Sequence, residues 1–219
     1  MLNTIRFPAL GLVLLLIITT SMGYAVKVDL PKNTIILEAE DGKMDKGVKV
    51  LEVKGASGGK ATDHERGAKT LHEIEIPEAG VWYLWIRYFC PNPNQDSYWL
   101  GMEGAEPNPA EDALGEQGIR IYSAAGDSVN TQAHPLNIWL WDFGKAHTDP
   151  RSFFKVKKAG KHVLWSKGRE PGTLLDQILL TMDENFNPEE ASKGEPIEVP
   201  KAVDPQGKLA LIWGGLKTF

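Results

Sequence analysis

The chain has 219 residues, 24% charged and 42% hydrophobic, with a formal net charge of −5. That length suits one domain with a sizeable core, and the acidic balance argues for no nucleic acid partner. The single cysteine, Cys90, excludes an intrachain disulfide and a cysteine-rich zinc site, and reads as a small buried apolar residue.

Residues 1–25 carry Arg6 in a short leading region, an apolar run over 10–18, and Gly23-Tyr24-Ala25 as a small-x-small end. This is the pattern of a secretory signal peptide. Its apolar core is shorter than the about 20 residues that span a bilayer, so no stable membrane span is expected after cleavage. The expected location is secreted, periplasmic or cell-envelope. Loss of Arg6 and no acid moves the charge from −5 to −6.

Beyond that segment, short apolar runs bounded by Gly, Pro, Asn and Asp recur, and no helical period is sustained. Strands are predicted at 34–40, 48–53, 70–76, 81–89, 97–102, 119–122, 137–143, 153–156, 162–166 and 174–182. About ten short strands predict an all-β chain, a two-sheet antiparallel β-sandwich over residues 26–184. Glu78-Ala79-Gly80 and Lys158-Ala159-Gly160 read as hairpin turns, and 91–96 and 105–118 as long loops suited to ligand contact. Residues 185–206 are Pro-rich and read as an extended linker. Residues 207–219 are apolar and too short to fold alone, so they dock on the domain, on an envelope partner or on secretion machinery.

In the first strand Glu38 and Glu40 are two apart and share one face. In the last, Asp176 lies between Leu175 and Ile178, where a carboxylate must be paired, hydrogen-bonded or bound to a cation. If the first and last strands are neighbours, the three acids converge on one hard cation, calcium by its preference for oxygen, with a backbone carbonyl near Lys60 completing the shell.

Within 81–89, Tyr83, Trp85, Arg87 and Phe89 share a face, where Arg87 requires a carboxylate or a ring to stack on. In 137–143 alternation puts Ile138 and Leu140 on the core side, and Trp139, Trp141 and Phe143 on the other. Those Trp rings are either covered by more protein or open as a flat platform for a sugar ring. Arg169 and Glu170, beside the Pro171-Gly172 turn, form a polar pair near the last strand. For catalysis the histidines are scattered, and no nucleophile elbow or helix-borne His pair is present. Asp63-His64-Glu65 and His147-Thr148-Asp149 are acid–His neighbours that could orient an imidazole.

The opening Leu37-Glu38-Ala39-Glu40, the run 55–60, the strand 80–87 and the closing 175–181 together resemble the carbohydrate-binding modules of families six and thirty-five. The resemblance covers roughly residues 34–183. It implies a β-jelly-roll, a calcium ion between the first and last strands, and sugar bound on loops at one end or on a concave sheet face. One departure is Leu174, where the family often carries a ligand-contacting Asn two residues before the closing Asp. The expectation is an exported, non-catalytic, calcium-stabilised module that holds a polysaccharide or other glycan through Trp139 and Trp141, with Arg87, Asp96, Arg169 and Glu170 as polar contacts. The alternatives are a polysaccharide lyase or glycoside hydrolase on the same sandwich, using His147 or His64 with a loop carboxylate, and a structural envelope or matrix protein.

Overall fold

Residues alternate sides along a strand, and in Gly80–Phe89 (β6) Trp82, Leu84, Ile86 and Tyr88 enter the main core while Trp85 belongs to a separate cluster on the opposite face. β6 is the central strand of a computed structural model that describes residues 24–122, 136–144 and 151–199. The larger sheet runs β3 (Val48–Glu52), β4 (Lys60–His64), β14 (Leu174–Thr181), β6, β12 (Phe153–Val156) and β8 (Ala105–Asn108). β1 (Thr34–Glu38) lies antiparallel to β14, so the first and last strands are neighbours, and β11 (Trp139–Asp142) lies antiparallel to β6. The smaller sheet runs β2 (Lys43–Met44), β5 (Lys69–Ile76), β13 (Gly160–Gly168), β7 (Ser97–Met102), β10 (Gln117–Tyr122) and β9 (Glu111–Asp112). Ile74, Ile76, Leu100, Ile119 and Leu164 of the smaller sheet share one core with Leu84, Ile86, Tyr88, Leu175 and Ile178 of the larger. This is the expected all-β sandwich.

Each predicted strand corresponds to an observed one. β2, β4, β8 and β9 went unpredicted: two are only two residues long, β4 reads Lys-Ala-Thr-Asp-His, and β8 carries Pro107 on a sheet edge. The two Ala-Gly turns are not hairpins. Glu78–Gly80 carries the chain from β5 in one sheet to β6 in the other, and Lys158–Gly160 from β12 to β13 in the reverse direction. Both glycines have positive φ, 151° at Gly80 and 119° at Gly160, and the turns are corners of the sandwich. Cys90 is buried in the core, as expected.

β14 departs from simple alternation. Leu175 and Ile178 both face the core although they are three apart, and the pairing with β6 shifts register between Leu175 and Gln177. A β-bulge there turns Asp176 and Gln177 together to the outer face and restores the phase for Leu179.

That outer face is covered. Residues 186–199, here the strap, cross the larger sheet and bury Ile36, Trp85, Trp141, Phe143 and Leu179 beneath Phe186, Ile197 and Val199, together with Val28 and Leu30 of the N-terminal arm. The strap holds one short helix, α1 (Pro188–Ser192), started by Asn187, whose side chain accepts from the Glu189 and Glu190 N–H groups. Val26 and Ile197 form a parallel bridge that ties arm to strap. The described part of the expected linker is therefore packed structure. Few apolar side chains suffice because they fall on an aromatic face that alternation had already prepared. Ile197 alone is fully buried, a contribution of about 1.5–3 kcal/mol. Among the described residues no helix is long and apolar enough to cross a membrane. Residues 1–23, most of the expected signal segment, and residues 200–219 lie outside the described residues.

Candidate functional site

The polar residues singled out in the sequence separate into two groups. The first is an acid cluster where β1, β14 and the turn after β3 meet. Asp176 is fully buried; its Oδ1 accepts from the Ser57 N–H at 2.8 Å and its Oδ2 from Arg87 Nη1 at 2.5 Å. Burial lifts Asp176 to about 6, while Arg87 and Ser57 pull it down, which leaves it ionised at neutral pH. Arg87, only 2% exposed, also donates from Nη1 to the Gly55 carbonyl and from Nε to the Gly194 carbonyl, and its guanidinium lies 5.2 Å from the centre of the Trp139 ring. It has both partners that the sequence required, a carboxylate and a ring, and it is buried away from any sugar.

Glu38 and Glu40 do not share a strand face, because β1 ends at Glu38 and Glu40 sits in the following 3-10 turn, Ala39–Asp41. They still meet. Burial, then Asp176 and Glu40, raise Glu38 to about 7 against hydrogen bonds from Ser57 Oγ and Gln177 Nε2. Burial, then Asp41 and Asp176, raise Glu40 to about 7, opposed by its own backbone hydrogen bond and by the Lys60 charge. Lys60 begins β4 and is exposed, and it reaches the cluster as a charge.

Do these residues fit a cation? One oxygen of each glutamate, Glu38 Oε2 and Glu40 Oε2, is buried without a hydrogen-bond partner. Every available donor is a hard oxygen, the type a divalent ion such as calcium takes, and a cation there would offset the neighbouring carboxylate charges that help to raise both glutamates. Glu38 and Glu40 fit such an ion. Asp176 differs from the expected trio, since both its oxygens are engaged by Arg87 and Ser57. Among the described residues no three acidic, His or Cys side chains converge as a preformed metal cage.

The second group lies at one end of the sandwich. Phe89 stands opposite both Trp139 and Leu174, and Tyr122 opposite Ser97, so residues 91–96, residues 169–173 and the start of β11 gather at the same end. Glu170 joins two of these segments: its Oε2 accepts from the Asp96 N–H at 3.0 Å and from Ser97 Oγ at 2.9 Å. Arg169 Nη1 donates to Glu170 and to Ser97 Oγ, and its guanidinium lies 5.9 Å from the Trp99 ring. Gln95 donates to the Pro171 carbonyl, and the Gly172 N–H donates to Asp63, which fixes both loops. Burial, then Glu170 as hydrogen-bond partner and charge, lifts Asp96 to about 6. Glu170 is held below its ordinary value; burial opposes this, but the bonds from Asp96 and Ser97 and the Arg169 charge together outweigh it. Asp96 is 7% exposed and serves the network from inside, whereas the Arg169 and Glu170 side chains remain 28% and 23% exposed.

The tryptophans divide. Trp141 is fully buried beneath the strap, with its N–H accepted by Glu189 Oε2 and its indole N–H by the Glu195 carbonyl. It is core and cannot be half of a sugar platform. Trp139 is partly exposed at the loop end, its ring tilted against that of Phe89 with centres 5.5 Å apart and its indole N–H donated to the Lys54 carbonyl. Leu140 faces the core as expected, but Ile138 precedes the strand and is 45% exposed.

His64 is a core residue. It is 1% exposed, bonded to the Ala68 carbonyl and Thr70 Oγ1, and set edge-on to Tyr98 at 5.2 Å. Asp63 is turned away to Gly172. His134, His147 and Asp149 lie outside the described residues. Sequence reasoning missed Ser57, Ser97 and Gln177. Only Gln177 left a signal, the odd spacing of Leu175 and Ile178 that demands a bulge.

No family model matches the sequence, and no curated protein matches it. Among solved structures the chain is similar to a GH26-CBM35 β-(1,4)-mannanase from Podospora anserina, at 15% identity over 72% of this chain and 29% of that one, with a TM-score of 0.47. It is similar to the C-terminal CBM6 of LamC from Zobellia galactanivorans, at 16% identity over 68% of this chain and 99% of that one, TM-score 0.43. A family 35 carbohydrate-binding module from Clostridium thermocellum is 13% identical over 68% of this chain and 98% of that one, TM-score 0.46. The chain thus spans under a third of the mannanase and nearly all of each of the two modules. At this level the likeness concerns fold alone, and the two antiparallel sheets establish the sandwich independently.

Proposed function

We propose that this chain is an exported, non-catalytic carbohydrate-binding module that engages a glycan at the loop end of its sandwich. The ligand class is supported by the sequence resemblance across residues 34–183. The place is supported by one observation: Arg169, Glu170 and Trp139, drawn from distant parts of the chain, lie toward the same end of the sandwich, each partly open to solvent. A fixed carboxylate and guanidinium offer paired acceptors and donors to neighbouring sugar hydroxyls, and a partly open indole offers a flat apolar surface to the C–H face of a ring. The leader-like residues 1–25 support export, and the apolar residues 207–219 suit docking to an envelope partner.

Calcium is the proposed structural ion, held by Glu38 and Glu40 beside Asp176. Bound there, it would neutralise two carboxylates that burial otherwise leaves uncompensated. The function is tested on a glycan array with the mature full-length chain. Binding to at least one glycan family, weakened about 10-fold or more by Arg169→Ala or Glu170→Gln, is the expected result. No binding to any glycan, with or without calcium, overturns the reading.

A further inference from the structure

Two buried side chains span the distance between the acid cluster and the strap. Gln177 is fully buried; its Nε2 donates to Glu38 Oε1 at 3.0 Å and to the Ile197 carbonyl at 2.7 Å, while its Oε1 accepts the Ile197 N–H at 2.9 Å. Arg87 holds Asp176 through Nη1 and the Gly194 carbonyl through Nε. The strap backbone is therefore gripped at Gly194 and Ile197 by residues whose other contacts are Asp176 and Glu38. The bulge at Asp176 makes this possible, because it sends two consecutive side chains to the same side.

The Gln177 amide is fully committed, with one N–H to each carbonyl-type acceptor and its oxygen to Ile197. Its orientation requires Glu38 Oε1 to stay an acceptor in that position. Glu38 Oε2, on the far side of the carboxylate, is the oxygen without a partner. An ion held there and at Glu40 fixes the plane of the Glu38 carboxylate and leaves Oε1 turned to Gln177.

We infer that divalent-cation binding at Glu38 and Glu40 and docking of the strap are thermodynamically linked through Gln177, each favouring the other. This rests on the proposed cation site. It makes docking of the strap dependent on the ion.

The test uses the mature full-length chain and calcium chloride, with calorimetry for ion binding and backbone hydrogen exchange for the strap. Calcium is expected to slow exchange at Ile197 and Glu198 at least several-fold more than in β10, which pairs only with β7 and β9 on the smaller sheet. Ile197→Ala, which weakens docking without touching an acid, is expected to lower calcium affinity several-fold, since linkage is reciprocal. Gln177→Leu is expected to bind calcium while the difference at Glu198 disappears. Calcium bound by calorimetry with equal slowing in strap and β10, or with none, overturns the linkage alone. Absence of calcium binding overturns the cation site and the linkage together.

Discussion

Asp176 and Arg87 illustrate how far a single residue can be read. The sequence required partners for both, and it left open whether Asp176 would meet a guanidinium or an ion. Only the register of β14 on β6, which brings residues 89 positions apart into contact, decides for Arg87. Removing one partner of such a pair strands a buried charge, so Asp176→Ala should cost about 3–5 kcal/mol in urea unfolding. Adding Arg87→Met should recover much of that loss; an additive double variant would show that the two residues do not depend on each other. His64 and His72 supply a second residue-scale prediction. Burial, first of all, lowers both to about 4, with His64 itself adding to the effect on His72. The unfolded chain therefore takes up protons near pH 6.5 that the folded chain refuses until about pH 4, and the stability from this source is lost as pH falls through that window. Glu38 and Glu40 act in the opposite direction over pH 4.5–7, so the effect is read by difference. Between pH 7 and pH 5, His72→Leu should lose about 2 kcal/mol less than the parent chain. Identical pH dependence would mean that His72 is not buried as a neutral ring.

At the scale of elements, period-two alternation located every long strand, divided β6 into its two faces and gave the correct core side of Leu140. It could not distinguish an open Trp face from a covered one, because the cover comes from a segment whose own composition is that of a linker. The strap carries its apolar residues singly, at Phe186, Ile197 and Val199, and the rest of its hold comes from side chains of the sheet gripping its backbone. The corners at Gly80 and Gly160 were misread for a related reason: a tight glycine turn looks the same within a sheet and between sheets. Trp141→Ala should therefore cost about 3–5 kcal/mol and Ile197→Ala about 2–5 kcal/mol in equilibrium unfolding. A chain ending at Glu184 should unfold at lower urea and bind an apolar dye, since Trp85, Trp141 and Phe143 lose their cover. Unchanged unfolding in the truncated chain would show that the strap contributes nothing to the fold.

For the whole molecule, the sandwich was legible from strand count, whereas the pairing of the first and last strands entered as a condition and as what the family resemblance implies, and the register of β1 on β14 supplies it. The candidate site was legible in its residue types and not in its grouping. Arg87 and Trp141 are drawn inward under the strap, Asp96 supports from within, and Arg169, Glu170 and Trp139 remain at the surface of one end. The central claim is that this end meets the glycan. Hydrogen exchange of the mature chain with and without a glycan that it binds tests it most directly. Protection concentrated in residues 91–97 and 169–173 is the predicted result; protection confined to the strap or to the outer face of the smaller sheet, with both loops unchanged, would contradict it.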